Sequence, residues 1–125
     1  MATHLNITVV EDHEALRFAT VEVLQQQGYQ AFGLDSASPL EDSATEFAAN
    51  IFIVDSKLLC EDGLSLVHRI RSLRPEAGII MTGGLLSAEN RNAVFESGAD
   101  LYLTKPVTPE ELIAAVGALQ RQLKG

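Results

Sequence analysis

The chain has one cysteine, Cys60, in 125 residues. This excludes an internal disulfide and a cysteine-based zinc site, and it favours a reducing compartment. Basic residues are also scarce, with 9 Lys and Arg against 17 Asp and Glu and a formal net charge of −8. That balance argues against a nucleic-acid surface within these residues and is compatible with a divalent cation or a basic partner. No apolar run approaches the roughly 18 residues of a membrane span. Met1-Ala2-Thr3-His4 lacks the basic start of a signal peptide, so a soluble, cytoplasmic protein without membrane contact is expected. Repeats, low-complexity tracts and linkers are missing too. What remains is ordinary globular composition, 46% hydrophobic and 21% charged, in a length that fits one core, so residues 1–125 are read as one domain.

Within that domain the apolar pattern alternates between two kinds of segment. Leu5–Val10 reads as a strand ending in Glu11-Asp12. From Glu14 the pattern turns helical, with Leu16, Ala19, Thr20, Val23 and Leu24 at three- and four-residue spacing and Gly28 as a stop. Tyr29–Gly33 is a short second strand. Ser38-Pro39-Leu40-Glu41 is a helix start, and that helix is expected to run to about Ala49.

The third strand, Ile51–Val54, is a continuous apolar run suited to burial on both faces, and Asp55 follows it. After a loop from Ser56 to Asp62, Gly63 opens a helix with Leu64, Val67, Ile70 and Leu73 on one face, ended by Arg74-Pro75. Gly78–Thr82 is a fourth strand, broken by Gly83-Gly84. Ser87 caps a fourth helix with Val94 and Phe95 inward and Gly98 as its stop. Leu101–Thr104 is a fifth strand running into Lys105-Pro106. Thr108-Pro109-Glu110-Glu111 is a capping box, and the helix it starts buries Leu112, Ile113, Val116 and Leu119 before ending near Lys124. Five strands alternating with helices over short links predict a parallel α/β sheet covered on both faces.

Four of the strand ends carry polar groups: Glu11 and Asp12, then Asp55, then Thr82, then Lys105. In a parallel sheet these ends share one edge, where open α/β folds bind ligands. Carboxylates brought together there repel unless a cation sits between them. Hard oxygen donors suit Mg²⁺, while Lys105 supplies a point charge and Thr82 a hydroxyl. Around the lone Asp55, such a set suits phosphoryl transfer onto the carboxylate.

Taken in order, Glu11-Asp12, Asp55, Asp62-Gly63, Thr82-Gly83, Tyr102 and Lys105-Pro106 resemble the receiver domain of two-component response regulators, over nearly all of residues 5–124. The resemblance implies a flavodoxin-like, doubly wound five-stranded parallel sheet of order 2-1-3-4-5 with five helices. It implies Mg²⁺-dependent phosphorylation of Asp55 by a sensor histidine kinase or phosphotransfer protein, in a regulator that is not itself an enzyme. Carried over by position, Glu11, Asp12 and Asp55 hold the metal by side chain and Lys57 by its backbone carbonyl. Thr82 and Lys105 bind phosphoryl oxygens, Tyr102 is the switch aromatic, and Lys105-Pro106 is a cis peptide. The fourth helix, fifth strand and fifth helix form the output face, which can also pair two copies. Val10-Glu11-Asp12 and Tyr102–Val107 look closest to receivers of winged-helix transcription regulators, whose DNA-binding domain would lie outside this chain.

Three positions depart from that pattern. Leu59 stands where the family usually has proline, and Gly84 offers no side chain to gate water. Lys57, two residues after Asp55, places an ammonium within possible reach of the phosphoryl group, where it is expected to alter the lifetime of the phosphorylated state. Read singly, several residues have plainer roles: Asp12 or Glu11 as a cap of the first helix, Thr82 as a turn residue, Lys105 as a solvated lysine, Tyr102 as packing. His13 is a poor ligand for Mg²⁺, and His4 and His68 read as surface residues. Two other functions stay open at this point. A phosphatase forming an aspartyl-phosphate wants a second acid where Lys57 stands, and a phosphorylation-independent interaction module predicts loss of some of the strand-end residues.

Overall fold

The computed structural model describes residues 5–36, 49–58 and 62–124. β1 (Asn6–Val10) leads to α1 (Glu14–Gln26) and β2 (Gln30–Leu34). β3 (Ile51–Asp55) precedes α2 (Gly63–Leu73), β4 (Gly78–Gly83), α3 (Ala88–Ser97), β5 (Leu101–Thr104) and α4 (Pro109–Lys124). All strand pairs are parallel, and the order is β2-β1-β3-β4-β5. Each strand lies within one residue of its sequence-predicted bounds. Among the described residues there are four helices rather than five; the helix expected from Ser38 to about Ala49 lies outside them, as do Leu59 and Cys60.

Every residue of β3 is buried, as expected for a strand covered on both faces. Its alternate side chains feed two apolar layers. Phe52 and Val54 join Leu66, Val67 and Ile70 of α2, Ile79 and Met81 of β4, and Val94 of α3. Ile51 and Ile53 join Leu24 of α1, Ile7 and Val9 of β1, Ile80, and Leu112, Val116 and Leu119 of α4. The sheet thus carries α2 and α3 on one face and α1 and α4 on the other.

The helix ends follow local chemistry. Ser87 Oγ accepts from the Asn90 amide at 3.1 Å, and Gly98 ends α3 with φ of 122°. Thr108 and Glu111 form the reciprocal capping box, at 3.1 and 3.0 Å. At α1 the cap is neither Asp12 nor Glu11 but His13, whose Nδ1 accepts from the Leu16 amide at 3.2 Å. Asp12 is thereby left out of the helix end.

Two expected core residues face water. Phe95 is 42% exposed, because consecutive helical residues point about 100° apart and α3 buries only the stripe led by Val94. Leu73 is 54% exposed, since it ends α2 beyond the buried run Leu66, Val67 and Ile70. Leu16 is also partly exposed, and Ile113 is only half-buried.

Candidate functional site

The carboxyl edge of the sheet assembles the site. β1 delivers Glu11, whose amide donates to the Leu34 carbonyl at 2.9 Å, while Arg17 Nη1 of α1 donates to the Glu11 carbonyl at 2.9 Å. The Glu11 side chain also accepts from the His13 amide at 3.3 Å, so both its backbone and its carboxylate are held. Asp55 is the last residue of β3 and pairs in register with Thr82 of β4. The Ser56 amide donates to the Thr82 carbonyl at 2.8 Å, and the Lys105 amide to the Gly83 carbonyl at 2.7 Å. These bonds fix the start of the loop after Asp55 and the lysine against the same end of β4.

The side chains then converge. Lys105 Nζ donates to Asp55 Oδ1 at 2.9 Å and to Glu11 Oε1 at 3.2 Å. Glu11, Asp55 and Thr82 are buried, at 5, 6 and 7% exposure. Burial pulls the Lys105 ammonium down from its ordinary pKa, but hydrogen bonds to Asp55 and Glu11 and the charges of both acids outweigh it, and the net shift is upward. Glu11, Asp12 and Asp55 each present a carboxylate oxygen within 4.8 Å of the others. In an octahedral Mg²⁺ shell, with bonds of about 2.1 Å, ligand oxygens lie roughly 3 to 4 Å apart. This donor set therefore fits a hard divalent cation after small adjustment.

Lys57 is exposed, and its backbone forms an isolated bridge with Asp62, the N-cap of α2, which brings the two ends of the loop after Asp55 together. Tyr102 is half-buried, and its hydroxyl donates to the Gly84 carbonyl at 2.5 Å. Burial, and next the charge of Asp55, push its phenol above the usual range, with Lys105 and Arg91 opposing. Lys105-Pro106 is cis. Beside the acids, a cavity of about 530 Å³ opens between α1 and the start of α4, with Val9, Ile53, Val23 and Leu112 among its walls.

Residues 7–117 match the response regulator receiver domain family. The chain belongs to that family. It is 35% identical over 121 residues to the virulence transcriptional regulatory protein PhoP of Salmonella typhimurium, covering 97% of this chain and 54% of PhoP. The receiver domain thus spans about half the length of the curated relatives it matches. A CheY-like receiver domain protein from Methanospirillum hungatei superposes with TM-score 0.85 at 29% identity over 98% of both chains. DrrB of Thermotoga maritima, an OmpR/PhoB homolog, superposes with TM-score 0.88 at 28% identity over 96% of this chain and 54% of its own. Membership places the receiver domain in two-component signalling rather than in an enzyme family.

The strand-end residues were legible in the sequence; the contacts that His13, Arg17 and Ser56 make around them were not. Gly63 was already marked in the sequence, as the helix start and in the Asp62-Gly63 pair; the structure supplies the reason, since a Cβ there would lie 2.6 Å from the Asp55 carbonyl oxygen and glycine lets α2 start that close to Asp55.

Proposed function

We propose that Asp55 of this receiver domain accepts a phosphoryl group from a sensor histidine kinase or phosphotransfer protein. An Asp55 oxygen attacks the phosphorus of the donor phosphohistidine; the P–O bond forms as the P–N bond breaks, and the imidazole leaves. Water attack on the same phosphorus later releases inorganic phosphate and restores the carboxylate. The observation that carries this reading is the ammonium of Lys105 held 2.9 Å from buried Asp55 inside a cluster of three acids.

Glu11, Asp12 and Asp55 by side chain, and Lys57 by its carbonyl, would hold Mg²⁺, which when bound offsets the negative charge on the phosphoryl oxygens. Lys105 trades part of its contact with Asp55 for a phosphoryl oxygen, and the Thr82 hydroxyl donates to another. Thr82 and Tyr102 then relay the change to the face made by α3, β5 and α4, which serves as the output face and as a pairing surface for a second copy. Similarity to PhoP and to DrrB supports a DNA-binding output domain outside this chain, a role in transcription and a cytoplasmic location. Among the described residues no helix is long and apolar enough to cross a membrane.

The test is phosphate uptake from a small phosphodonor, or beryllofluoride binding, with and without Mg²⁺. Uptake by the wild type only with Mg²⁺, and none by Asp55→Ala, is the expected result. Equal uptake by Asp55→Ala sinks the assignment.

A further inference from the structure

Gly83 ends β4 directly after Thr82 and is buried, whereas Gly84 is exposed. Neither has a positive φ, so neither backbone conformation demands glycine. The two differ in what a side chain would meet. A Cβ on Gly84 would find nothing within 4 Å. A Cβ on Gly83 would lie 2.6 Å from the Tyr102 hydroxyl oxygen, 3.1 Å from Ser56 Cβ and closer still to Ser56 Oγ. The backbone at 82–83 cannot easily retreat, because the Thr82 carbonyl accepts from Ser56 and the Gly83 carbonyl from Lys105. Any added methyl must therefore displace side chains, and the stiff Tyr102 ring has less freedom to adjust than the Ser56 hydroxyl.

We propose that Gly83 is the positioning residue for Tyr102: the space left by its absent side chain seats the tyrosine hydroxyl, with Ser56, the neighbour of Asp55, as the opposite wall. Tyr102 reaches the Gly84 carbonyl across that space. Residue 56 and Tyr102 thus touch the same small volume, which adds a steric link between the acceptor loop and β5 beside the one through Thr82. The regulatory meaning of the seat rests on Asp55 being the phosphoryl acceptor, but the seat itself needs no phosphorylation.

The protein has two tyrosines and no tryptophan, so in the full chain carrying Tyr29→Phe the near-ultraviolet tyrosine circular dichroism reports Tyr102 alone. In unphosphorylated protein, adding Gly83→Ala is expected to remove most of that signal, and adding Gly84→Ala to retain it. A full signal in Gly83→Ala overturns the proposal. A double-mutant cycle on folding stability gives the second measurement. Gly83→Ala is expected to cost less when Tyr102→Phe has removed the hydroxyl oxygen 2.6 Å from the new methyl. Folding of Gly83→Ala only together with Tyr102→Phe supports the seat; an equal cost in both backgrounds, including failure of both to fold, overturns it. Failure of Asp55 as acceptor would appear separately, as absence of beryllofluoride binding by the wild type, and would leave both readouts intact.

Discussion

Lys105 Nζ donates to Asp55 Oδ1 at 2.9 Å across fifty residues of sequence, and the same ammonium reaches Glu11 at 3.2 Å. It is the counter-charge that lets two buried carboxylates share the sheet's edge. Removing one partner of a buried ion pair costs about 3–5 kcal/mol; because the Lys105 side chain is 30% exposed, solvent screening reduces the expected cost of Lys105→Met to about 1–2 kcal/mol. Mg²⁺ should restore more stability to this variant than to the wild type, since the metal then replaces the missing charge. Urea unfolding with EDTA and with Mg²⁺ measures both effects.

Asp12 makes the opposite prediction. It completes the acid cluster but neither caps α1 nor pairs with Lys105. Asp12→Asn removes repulsion in the metal-free protein, so its melting temperature in EDTA should equal or exceed the wild type's. The rise on adding Mg²⁺ should shrink, with affinity lower by about tenfold or more, roughly 1.4 kcal/mol. Thermal melts across a Mg²⁺ titration check this; an unchanged Mg²⁺ response would remove Asp12 from the metal set.

Gly63 is expected to resist substitution. The Cβ of Gly63→Ala would press on backbone atoms of Asp55 and Ser56 at 2.6 to 2.9 Å, and backbone yields less than a flexible side chain. Overpacking of this kind costs about 1–3 kcal/mol. Because the strained atoms belong to Asp55, the proposed acceptor, and to its neighbour Ser56, beryllofluoride binding should weaken along with stability, which parallel denaturation and binding measurements would reveal.

Stability should fall on the alkaline side. Lys105 has a folded pKa above its ordinary value, so its contribution is complete below about pH 10.5 and disappears as pH rises through the folded pKa. Tyr102 is also raised, which keeps the folded state protonated where the unfolded chain has begun to ionise above about pH 10, and it acts in the same direction. Lys105→Met and Tyr102→Phe should each flatten the stability profile above pH 10. Chemical denaturation across the alkaline range measures the slopes.

Lys57 stands two residues after Asp55 with an exposed side chain. An ammonium there can approach a phosphoryl oxygen from the solvent side, so Lys57→Ala should change the half-life of phosphorylated Asp55 without abolishing its formation. An unchanged dephosphorylation rate ends that role.

The strands and helix ends were legible because their causes are local. β3 is a continuous apolar run, Ser87 and Thr108 cap within three residues, and Gly28 and Gly98 stop helices through backbone freedom. Glu11, Asp12, Asp55, Thr82 and Lys105 were legible as a set because parallel strands bring their carboxyl ends to one edge. Phe95 and Leu73 were misread because helical periodicity states which residues share a stripe, but not how far the neighbouring sheet extends beneath it. Arg71 carried no local signal, yet its guanidinium donates to the carbonyls of Pro75, Ala77 and Gly98 and to Asp100, tying α2 to the ends of α3 and the starts of β4 and β5.

By itself, then, the order of residues determined that Asp55 ends a buried strand and which polar groups could meet it. Tertiary structure decided that Lys105 bridges Asp55 and Glu11, that His13 rather than Asp12 caps α1, and that Ser56 and Tyr102 crowd the space beside Gly83. The division has a physical origin. Burial periodicity and capping act over a few residues, whereas a hydrogen bond or a steric contact between distant segments exists only once the sheet has fixed their separation to within an ångström.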